Sequence, residues 1–513
     1  MIGKNSGQID IFNRMIYEKL IPKDHLLIKI DSIIDFTFVY DITKNNYSDI
    51  GRKSKDAVVL FKLNLLEYLY KLSDGDVVKR ATTDVAFRWF LGLTLDDEIP
   101  DDTTISHFRI HRLGSVGFEN VFNEIVKKCI EKNLVGKQRY IVDSTDVAAN
   151  VNYPSARKLI CNAFRKVIKE VGKFDEGIAD ENLKNFENEI DYEYEKVDKV
   201  PVSKYCEIGK KYAEYLYLKT YDEIQNNSRY AEVYSVFWDI VEQYSNPNSK
   251  DKIISCVDPD ARIAHKSPGN RKRGYKDHII VDEKSEIILG SSQTPFNVND
   301  EKELIGLIEN VEAEFGLKPN EISADKAYGT TYNRAYLKDH EIVSNIDFYN
   351  KPDVEHKTFE ITKFQVSEDL KSVTCPGGIT TTTFILLKKD NRIRFKFDSI
   401  TCCKCPLKDQ CVNKKPLKGS YREVVISTRY DAVIRDMHNV LTAEFKAARD
   451  RRYIVERRFA TMVQNHGLRR CRFLKLDRAK IHITMANIAS NVVRMVNILI
   501  NTTKPSLVLK KIA

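Results

Sequence analysis

The chain has 513 residues, which is too long for one ordinary domain and long enough for a large core with added modules. Its hydrophobic content of 42%, charged content of 30% and formal net charge of +9 are typical of a soluble, globular protein. No secretory signal is evident, and three asparagines and an arginine interrupt the most apolar stretch, Met485 to Ile500. We therefore expect a cytoplasmic protein without a membrane partner.

The N-terminal quarter predicts helices. Apolar residues at helical spacing predict helices over 54–72, 77–90 and 105–113. Together they are typical of a helix-turn-helix unit that contacts DNA. Its candidate contacts are His107, Arg109, His111 and Arg112. A helical packing module whose polar side is merely solvated is the alternative.

Asp143 follows a run of β-forming residues, Tyr140 to Val142, and small polar residues come directly after it. This pattern indicates that Asp143 ends a buried strand. The chain then leaves the sheet for a long segment, about 151–255.

That segment predicts helices over 156–171, 206–225 and 228–244. Between the first two lies an acidic run, 174–198, which is typical of solvated surface. A role in pairing subunits or in shielding a DNA channel is the alternative.

The sheet resumes with strands predicted at 261–265, 278–282 and 286–290, and a helix over about 300–315 follows. A second acid, Asp325, then ends a short strand that begins at Glu321, and a turn containing Gly329 comes next. One more strand is predicted at 341–348.

A cysteine-rich segment carries its own chemistry. After Cys375, the runs 379–387 and 392–397 predict a β-hairpin with a turn at 388–391, one basic face and one apolar face. Strands of similar length return the chain to Cys375, close to Cys402, Cys405 and Cys411.

Four thiolates from these positions would satisfy a closed, tetrahedral, structural Zn²⁺ site. Cys403 could replace Cys402 in that set, and the alternative is that several of these cysteines are simply free and buried. The ten cysteines of the chain, without a signal sequence, fit a reducing compartment.

Nearly all of the net charge lies near the C-terminus, where the stretch from Arg449 to Lys480 has eleven Lys or Arg against three Asp or Glu. The helix predicted from Arg449 carries Asp450 at its start and, further along, Glu456 among arginines. A surface that only held a polyanion would favour more arginine. Glu456 therefore indicates a divalent cation beside a phosphate, and Arg452, one turn earlier on the same face, could hold that phosphate or pair with Glu456.

Two strands that each end in Asp and a helix that carries Glu are what a metal-dependent phosphoryl-transfer site requires. Two cations about 3.5–4 Å apart need shared carboxylates on rigid elements. We predict that Asp143, Asp325 and Glu456 converge.

In this order and context the three acids resemble the DDE triad of bacterial insertion-sequence transposases, most closely insertion-sequence family 1182. The resemblance covers most of the chain. It includes Gly51-Arg-Lys-Ser-Lys-Asp56, Tyr68-Leu-Tyr-Lys-Leu-Ser-Asp74, Phe87-Arg-Trp-Phe-Leu-Gly92, Pro100-Asp-Asp-Thr-Thr-Ile-Ser-His-Phe-Arg109, Asp258-Pro-Asp-Ala-Arg262 and Gly274-Tyr-Lys-Asp-His278.

The chain departs from the wider signature Tyr-x2-Arg-x3-Glu-x6-Lys. Arg452 and Glu456 fit it, but Arg449 stands at the Tyr position and Val463 at the Lys position. Gln464, Arg457 or Arg458 could replace the lysine that grips DNA.

The resemblance implies an α/β fold: an RNase H-like mixed sheet flanked by helices, in which the strands of Asp143 and Asp325 lie side by side. We expect an all-α N-terminal DNA-binding domain, a helical insertion, a small zinc-bearing β-hairpin insertion and C-terminal helices that complete the catalytic core. The N-terminal domain is expected at 1–135, and the first part of the RNase H-like core at 136–150 and 256–349. The helical insertion is expected at 151–255, the zinc-bearing insertion at 350–430 and the C-terminal helices at 431–513.

The resemblance further implies a nucleoid-associated transposase, homodimeric or larger, that uses Mg²⁺ or Mn²⁺ to cleave and join double-stranded DNA. Expected DNA contacts are Arg109, Arg112, Arg449, Arg452, Arg457, Arg469, Arg470 and Arg472. The alternatives are a non-catalytic DNA-binding regulator that has kept the fold, and a nuclease without strand transfer.

Overall fold

The protein is described from a computed structural model. The described residues are 2–4, 10–136, 138–194, 201–249, 251–267, 270–348, 359–388, 391–411 and 422–503. The predicted turn residues 389–390, the end of the acidic run at 195–198 and the closing residues 504–513 lie outside them.

A six-stranded mixed sheet forms the centre. Its strands are β1 (Arg139–Ala148), β2 (Arg262–Ser267), β3 (Asn270–Asp282), β4 (Ile288–Pro295), β5 (Glu321–Ala324) and β6 (Val343–Ile346). The order is β2-β3-β1-β5-β6, and β4 pairs with the second half of β3 on the edge opposite β1, where β2 pairs with the first half. The pairs of β3 with β1, β2 and β4 are antiparallel, whereas β5 runs parallel to both β1 and β6.

The predicted pairing of the two Asp-bearing strands is confirmed. The parallel ladder joins Tyr140 to Ile322 and ends at the pair Val142 and Ala324. Apolar side chains on both faces fit strands that are covered by helices on both sides. The prediction that β1 ends at Asp143 is wrong, because β3 continues to pair with it as far as Ala148.

In the described part of the chain before the sheet there are eight α-helices: α1 (Ile11–Leu20), α2 (Leu26–Ile33), α3 (Phe38–Thr43), α4 (Ala57–Tyr70), α5 (Asp74–Thr83), α6 (Val85–Leu91), α7 (Asp102–His107) and α8 (Gly114–Glu131). A π-helical turn, Phe108–Leu113, joins α7 to α8. The helix predicted over 77–90 is in fact two helices. Asp84 ends α5, and its carboxylate accepts hydrogen bonds from the backbone N–H groups of Ala86 and Phe87 at the start of α6.

These N-terminal helices are built into the core of the sheet. Leu66 of α4, Ile279 of β3 and Val492 near the C-terminus belong to one continuous cluster of buried apolar side chains. The N-terminal region is therefore packed against the site-bearing sheet through a shared core.

The segment after β1 forms five helices: α9 (Ala156–Val171), α10 (Glu176–Tyr194), α11 (Val202–Lys219), α12 (Tyr221–Asn226) and α13 (Ser228–Ser245). They have a hydrophobic core of their own. The acidic run is largely the helix α10, whose Phe186 stacks on Phe164 of α9 at 3.9 Å between ring centroids. The apolar residues of α10 recur at helical spacing, so one face of this helix is buried and the opposite face is solvated.

Two helices pack beside the second half of the sheet, α14 (Leu304–Phe315) and α15 (Thr331–Asp339). The cysteine-rich segment then contains β7 (Gln365–Val366), β8 (Val373–Thr374), β9 (Thr380–Thr381), β10 (Phe384–Leu387), β11 (Arg392–Lys396), α16 (Ser399–Cys403), α17 (Lys408–Cys411) and β12 (Glu423–Ser427). The hairpin is present as β10 and β11, which pair from Phe384 with Phe395 to Leu387 with Arg392. Its first strand is shorter than predicted, because β9 pairs with β8 in a separate sheet.

The C-terminal helices are α18 (Tyr430–Asn439), α19 (Ala443–Arg451), α20 (Tyr453–His466) and α21 (Leu476–Thr503). The helix predicted from Arg449 is thus divided at Arg452. Among the described residues, one helical stretch, Leu476–Ile500, is long and apolar enough to cross a membrane, and 67% of its most apolar window is buried inside the protein. Burial of that extent fits a core helix.

Candidate active site

The sheet register brings two acids together. The pairing of β1 with β5 ends at Val142 and Ala324, and Asp143 and Asp325 are the next residues on the two neighbouring strands. Asp143 continues in β1, whereas Asp325 leads into a short 3-10 turn, Lys326–Tyr328. Because neighbouring strands lie about 4.8 Å apart, the two carboxylates leave the sheet side by side.

One guanidinium joins these acids to Glu456. An Nη atom of Arg452 donates to Oδ1 of Asp325 at 3.2 Å. Its other Nη lies 3.9 Å from Oδ2 of Asp143 and 3.7 Å from Oε1 of Glu456, four residues further along. The three acids, separated by more than 300 residues of chain, therefore surround a single positive group.

Asp143 is the most buried of the three acids, with 17% of its side chain exposed against 47% for Asp325 and 64% for Glu456. Burial is the main cause that raises the pKa of Asp143 to about 6; the negative charges of Asp325 and Asp300 add to it, and a backbone N–H and Arg452 oppose it. Desolvation disfavours the charged form, so a cation beside this carboxylate would stabilise it.

Three further polar residues lie behind Asp143. Asp300, at the start of the 3-10 turn after β4, is held by Nζ of Lys276 at 2.6 Å. The phenol of Tyr328 is fully buried, and burial together with the charges of Asp300 and Asp143 raises its pKa well above the usual value. Sequence reasoning missed all three, although Lys276 falls inside the quoted motif 274–278 and Tyr328 lies in the predicted turn after Asp325.

The donors of the triad suit a hard divalent cation, since Mg²⁺ and Mn²⁺ prefer carboxylate oxygens. The three acids carry three negative charges around one guanidinium, which leaves a local excess of negative charge. Yet in the described parts of the chain no group of three or more His, Cys, Asp or Glu side chains is arranged as a metal ligand set. The carboxylates are gathered around Arg452 instead.

The four predicted zinc cysteines also meet. Cys375, Cys402, Cys405 and Cys411 line one small cavity, which Cys403 does not. A Cβ placed on Gly377 would lie 3.4 Å from Sγ of Cys405 and 3.6 Å from Sγ of Cys375. The thiols are near one another but are not drawn into a ligand arrangement, so the donor geometry by itself does not support zinc.

The expectation that Arg109 contacts DNA is wrong. Its side chain is 2% exposed and forms a two-pronged ion pair with Glu67, which is 0% exposed, and a second pair with Asp74. Nε of Arg109 donates to Asn64 at 2.7 Å. All the N–H groups that could face a phosphate are turned into the core.

The other three N-terminal candidates for DNA contact lie nearer the surface than Arg109. Arg112 donates to the backbone oxygen of Asn46 and stacks over the ring of Tyr47 at 4.7 Å, so it is committed to local structure. His107 and His111 are exposed and pack on each other at 4.7 Å. Of the four N-terminal candidates, the two histidines face solvent.

Of the C-terminal arginines other than Arg452, three are firmly paired. Arg457 binds Glu286, Arg469 binds Asp146 at 2.7 Å, and Arg472 donates to the backbone oxygen of Leu72 at 2.7 Å. Arg457 and Arg469 nevertheless remain about half exposed.

Two arginines are less firmly paired in the part of the chain that the structure describes. Arg449 is half exposed, with only a loose contact to the adjacent Asp450, and Arg470 is exposed. Arg458, one of the candidates to replace the missing lysine, is buried and donates to Ser490, so it is not available to contact DNA. Gln464 is exposed.

Comparison with known proteins gives two family matches. A family described as "Transposase domain (DUF772)" matches residues 15–111, and one described as "Transposase DDE domain" matches residues 374–496. A Rhizobium meliloti protein described as "Uncharacterized protein ORF8 in nfe locus" is 22% identical over 174 residues, which are 33% of this chain and 83% of that protein. No solved structure matches the chain.

The second matched segment overlaps the candidate site and the first does not. The second contains the four candidate zinc cysteines, Arg452 and Glu456, whereas Asp143 and Asp325 lie outside both. Neither match distinguishes insertion-sequence family 1182 from other insertion-sequence families.

Proposed function

Because the chain is a DDE transposase of an insertion sequence, we propose that it binds the terminal inverted repeats of that element and catalyses metal-dependent DNA cleavage and strand transfer. One observation carries the proposal: Asp143, Asp325 and Glu456, from two strands and a distant helix, all lie within 3.9 Å of the same guanidinium. Such convergence is what a phosphoryl-transfer centre needs.

Each acid has a part in this proposal. The three carboxylates would hold Mg²⁺ or Mn²⁺, which when bound activates the attacking hydroxyl and stabilises the leaving oxygen. Asp143 and Asp325 stand on the rigid sheet, and Glu456 closes the site from the helix. In cleavage, water attacks the phosphorus and the 3′ oxygen leaves as a hydroxyl. In strand transfer, that 3′-hydroxyl attacks a target phosphate.

The central sheet supports an RNase H-like assignment. Strands β4, β3 and β1 are antiparallel neighbours, and β5 and β6 continue beside β1 in parallel. We also propose the predicted domain division. In its support, the insertion at 151–255 has an apolar cluster of its own, and the insertion at 350–430 holds most of another. Two ends must be held together before strand transfer, so we also propose a homodimer or larger assembly.

We propose that the DNA backbone runs over the exposed arginines around the triad. Arg449 precedes the triad helix, and Arg470 is bridged to Ala148 at the far end of β1. Ala148 is five residues from Asp143, about 16 Å along the strand. Exposed cations before the triad helix and at the far end of β1 suit phosphate contacts that position a duplex over the acids.

We propose a structural Zn²⁺ held by Cys375, Cys402, Cys405 and Cys411. The support is that all four thiols line the same cavity and that the other three thiols raise the pKa of Cys411, in addition to the effect of its burial. Cys405→Ser should lower the zinc content of purified protein from one ion per chain to almost none, whereas Cys403→Ser should keep it. Metal analysis that finds equal zinc in both variants contradicts this ligand set.

The activity is tested with DNA that flanks the reading frame on either side, incubated with Mg²⁺ or Mn²⁺. Wild-type protein should nick these fragments and join them to a target. Asp143→Asn, Asp325→Asn and Glu456→Gln should each slow cleavage at least about 100-fold, because each removes a charged ligand worth several kcal/mol in the transition state. End binding, measured by mobility shift, should persist.

The matched control is Glu444→Gln, which removes an exposed acid from α19 in the same C-terminal segment. It should cleave like the wild type. If one of the triad variants also cuts at the wild-type rate, that residue is not part of the site. Binding without any cleavage by the wild type would favour the non-catalytic regulator, and sequence-indifferent degradation would favour a nuclease without strand transfer.

A further inference from the structure

The guanidinium of Arg452 lies among the three acids of the triad. Three acids that would bind cations share the guanidinium, and the side chain reaches them from the junction between α19 and α20. The amide N–H of Arg452 closes onto Arg449, and its carbonyl accepts from the N–H of Val455. The junction thus fixes the backbone of Arg452, and the contacts of its guanidinium to the acids are made by the side chain alone.

The guanidinium uses few of its donors in this arrangement. Of its five N–H groups, one makes a hydrogen bond to a triad acid, at 3.2 Å, and the contacts to Asp143 and Glu456 are longer. Its Nε is buried and finds no hydrogen-bond partner among the residues that the structure describes. A phosphate, which offers several charged oxygens in a geometry that suits the planar fork, would satisfy these donors better.

A guanidinium and a divalent ion cannot share this space. An Mg²⁺ ion lies about 2.0–2.1 Å from its carboxylate oxygens, inside the volume that the Nη atoms of Arg452 border. A positive group this close also opposes the approach of a second cation.

We propose that Arg452 acts as the resident cation of the triad in the DNA-free protein, and that a DNA phosphate draws it away as the metal ions enter. Arg452 is then a positioning residue with two partners in turn. Metal and DNA bind cooperatively, because each removes an obstacle to the other. The inference rests on the proposed function of the triad.

The test measures Mn²⁺ binding to the full-length protein, without DNA, by electron paramagnetic resonance. Arg452→Ala should bind Mn²⁺ about fivefold more tightly or better, since three carboxylates lose their competing cation. Arg452→Gln, which keeps most of the side-chain length, should show the same tightening and covers the case in which the alanine variant does not fold. Arg452→Lys, which keeps the charge, should bind as weakly as the wild type.

Lys446→Ala is the matched control, because it removes one exposed positive charge from α19, six residues before Arg452, without touching the triad. Its Mn²⁺ affinity should change less than twofold. Damage to the fold would weaken metal binding, so tightening is a result that a purely structural role does not produce. Unchanged or weaker binding in both Arg452→Ala and Arg452→Gln overturns the inference.

A second measurement adds the DNA that flanks the reading frame. It should tighten Mn²⁺ binding to the wild type at least fivefold and leave Arg452→Ala almost unaffected. Asp325→Asn distinguishes a failure of the proposed function from a failure of the proposed role of Arg452. If Asp325→Asn binds Mn²⁺ as the wild type does, the metal is not at the triad and the proposed function fails too. If it loses Mn²⁺ while the arginine variants show no tightening, only the role of Arg452 is refuted.

Discussion

Replacing Arg109 by Met should destabilise the protein and leave DNA binding per folded molecule unchanged. Arg109 bonds both carboxylate oxygens of Glu67 at 3.0 Å and those of Asp74 at 2.9 and 3.1 Å. Met has a similar length, so little cavity forms and the cost comes from the unpaired acids. Breaking a buried ion pair on one side costs about 3–5 kcal/mol.

Two features of the site favour the lower end of that range. Burial raises the pKa of Glu67 to about 8, against the opposing charges of Arg109 and Arg472. At that pKa the carboxyl group already holds a proton in most molecules at neutral pH, and losing Arg109 raises the pKa further, which limits the charge left in the core. Arg472 also stays within 3.5 Å of Glu67. We therefore expect a loss of about 3 kcal/mol in the free energy of unfolding.

The assay is urea unfolding followed by circular dichroism, with a double-mutant cycle. Arg109→Met with Glu67→Met should be more stable than Arg109→Met alone, because replacing both members of a buried pair by apolar residues avoids the uncompensated charge. Arg80→Ala is the control, since Arg80 pairs with Asp84 on an exposed surface. Its cost should stay below about 1 kcal/mol.

The salt dependence of binding to a random duplex completes the test. If Arg109 stays in the core, the slope of log affinity against log salt is the same for Arg109→Met and the wild type. An unchanged urea midpoint together with a slope that is smaller by about 1 would show that the guanidinium serves DNA, and the structural interpretation would fall.

Two further predictions concern the acids and the cationic surface. Burial above all raises the pKa of Asp143 to about 6, so between about pH 4 and 6 the folded chain holds a proton that the unfolded chain has released. Above pH 6 the charged Asp143 therefore costs stability: in metal-free buffer Asp143→Asn should be more stable than the wild type at pH 7 by about 1–3 kcal/mol, and the difference should vanish near pH 4. Equal urea midpoints at pH 7 would contradict the shift. Arg470→Ala should lower the salt slope of duplex binding by about 1, and an unchanged slope would place the DNA elsewhere.

Much of the fold was readable from local pattern. The helix α9 occupies the predicted residues 156–171, and the hairpin of β10 and β11 lies in its predicted segment. Such elements depend on the periodicity of apolar residues, which the sequence displays directly. The limits of other elements were misjudged, because pairing with β3 extends β1 past Asp143, and Asp84 caps one helix where continuous helix was predicted.

Arginines were the hardest residues to interpret. An arginine on an amphipathic helix has the same local pattern whether it meets acids from another helix or a phosphate. Arg109 belongs to the first kind because Glu67 and Asp74, 42 and 35 residues away, fold against it. Only the tertiary packing separates the two cases.

The sequence alone identified the candidate side chains of the proposed sites: two aspartates in β-forming contexts, one glutamate in a cationic helix and a cluster of four cysteines. It also placed Arg452 one turn from Glu456, because helical spacing is a local property. The tertiary structure decided how these groups meet. The register of β1 against β5 sets Asp143 beside Asp325, and the divided C-terminal helix brings Arg452 to both. Contacts across more than a hundred residues depend on strand pairing and core packing, which no local spacing encodes.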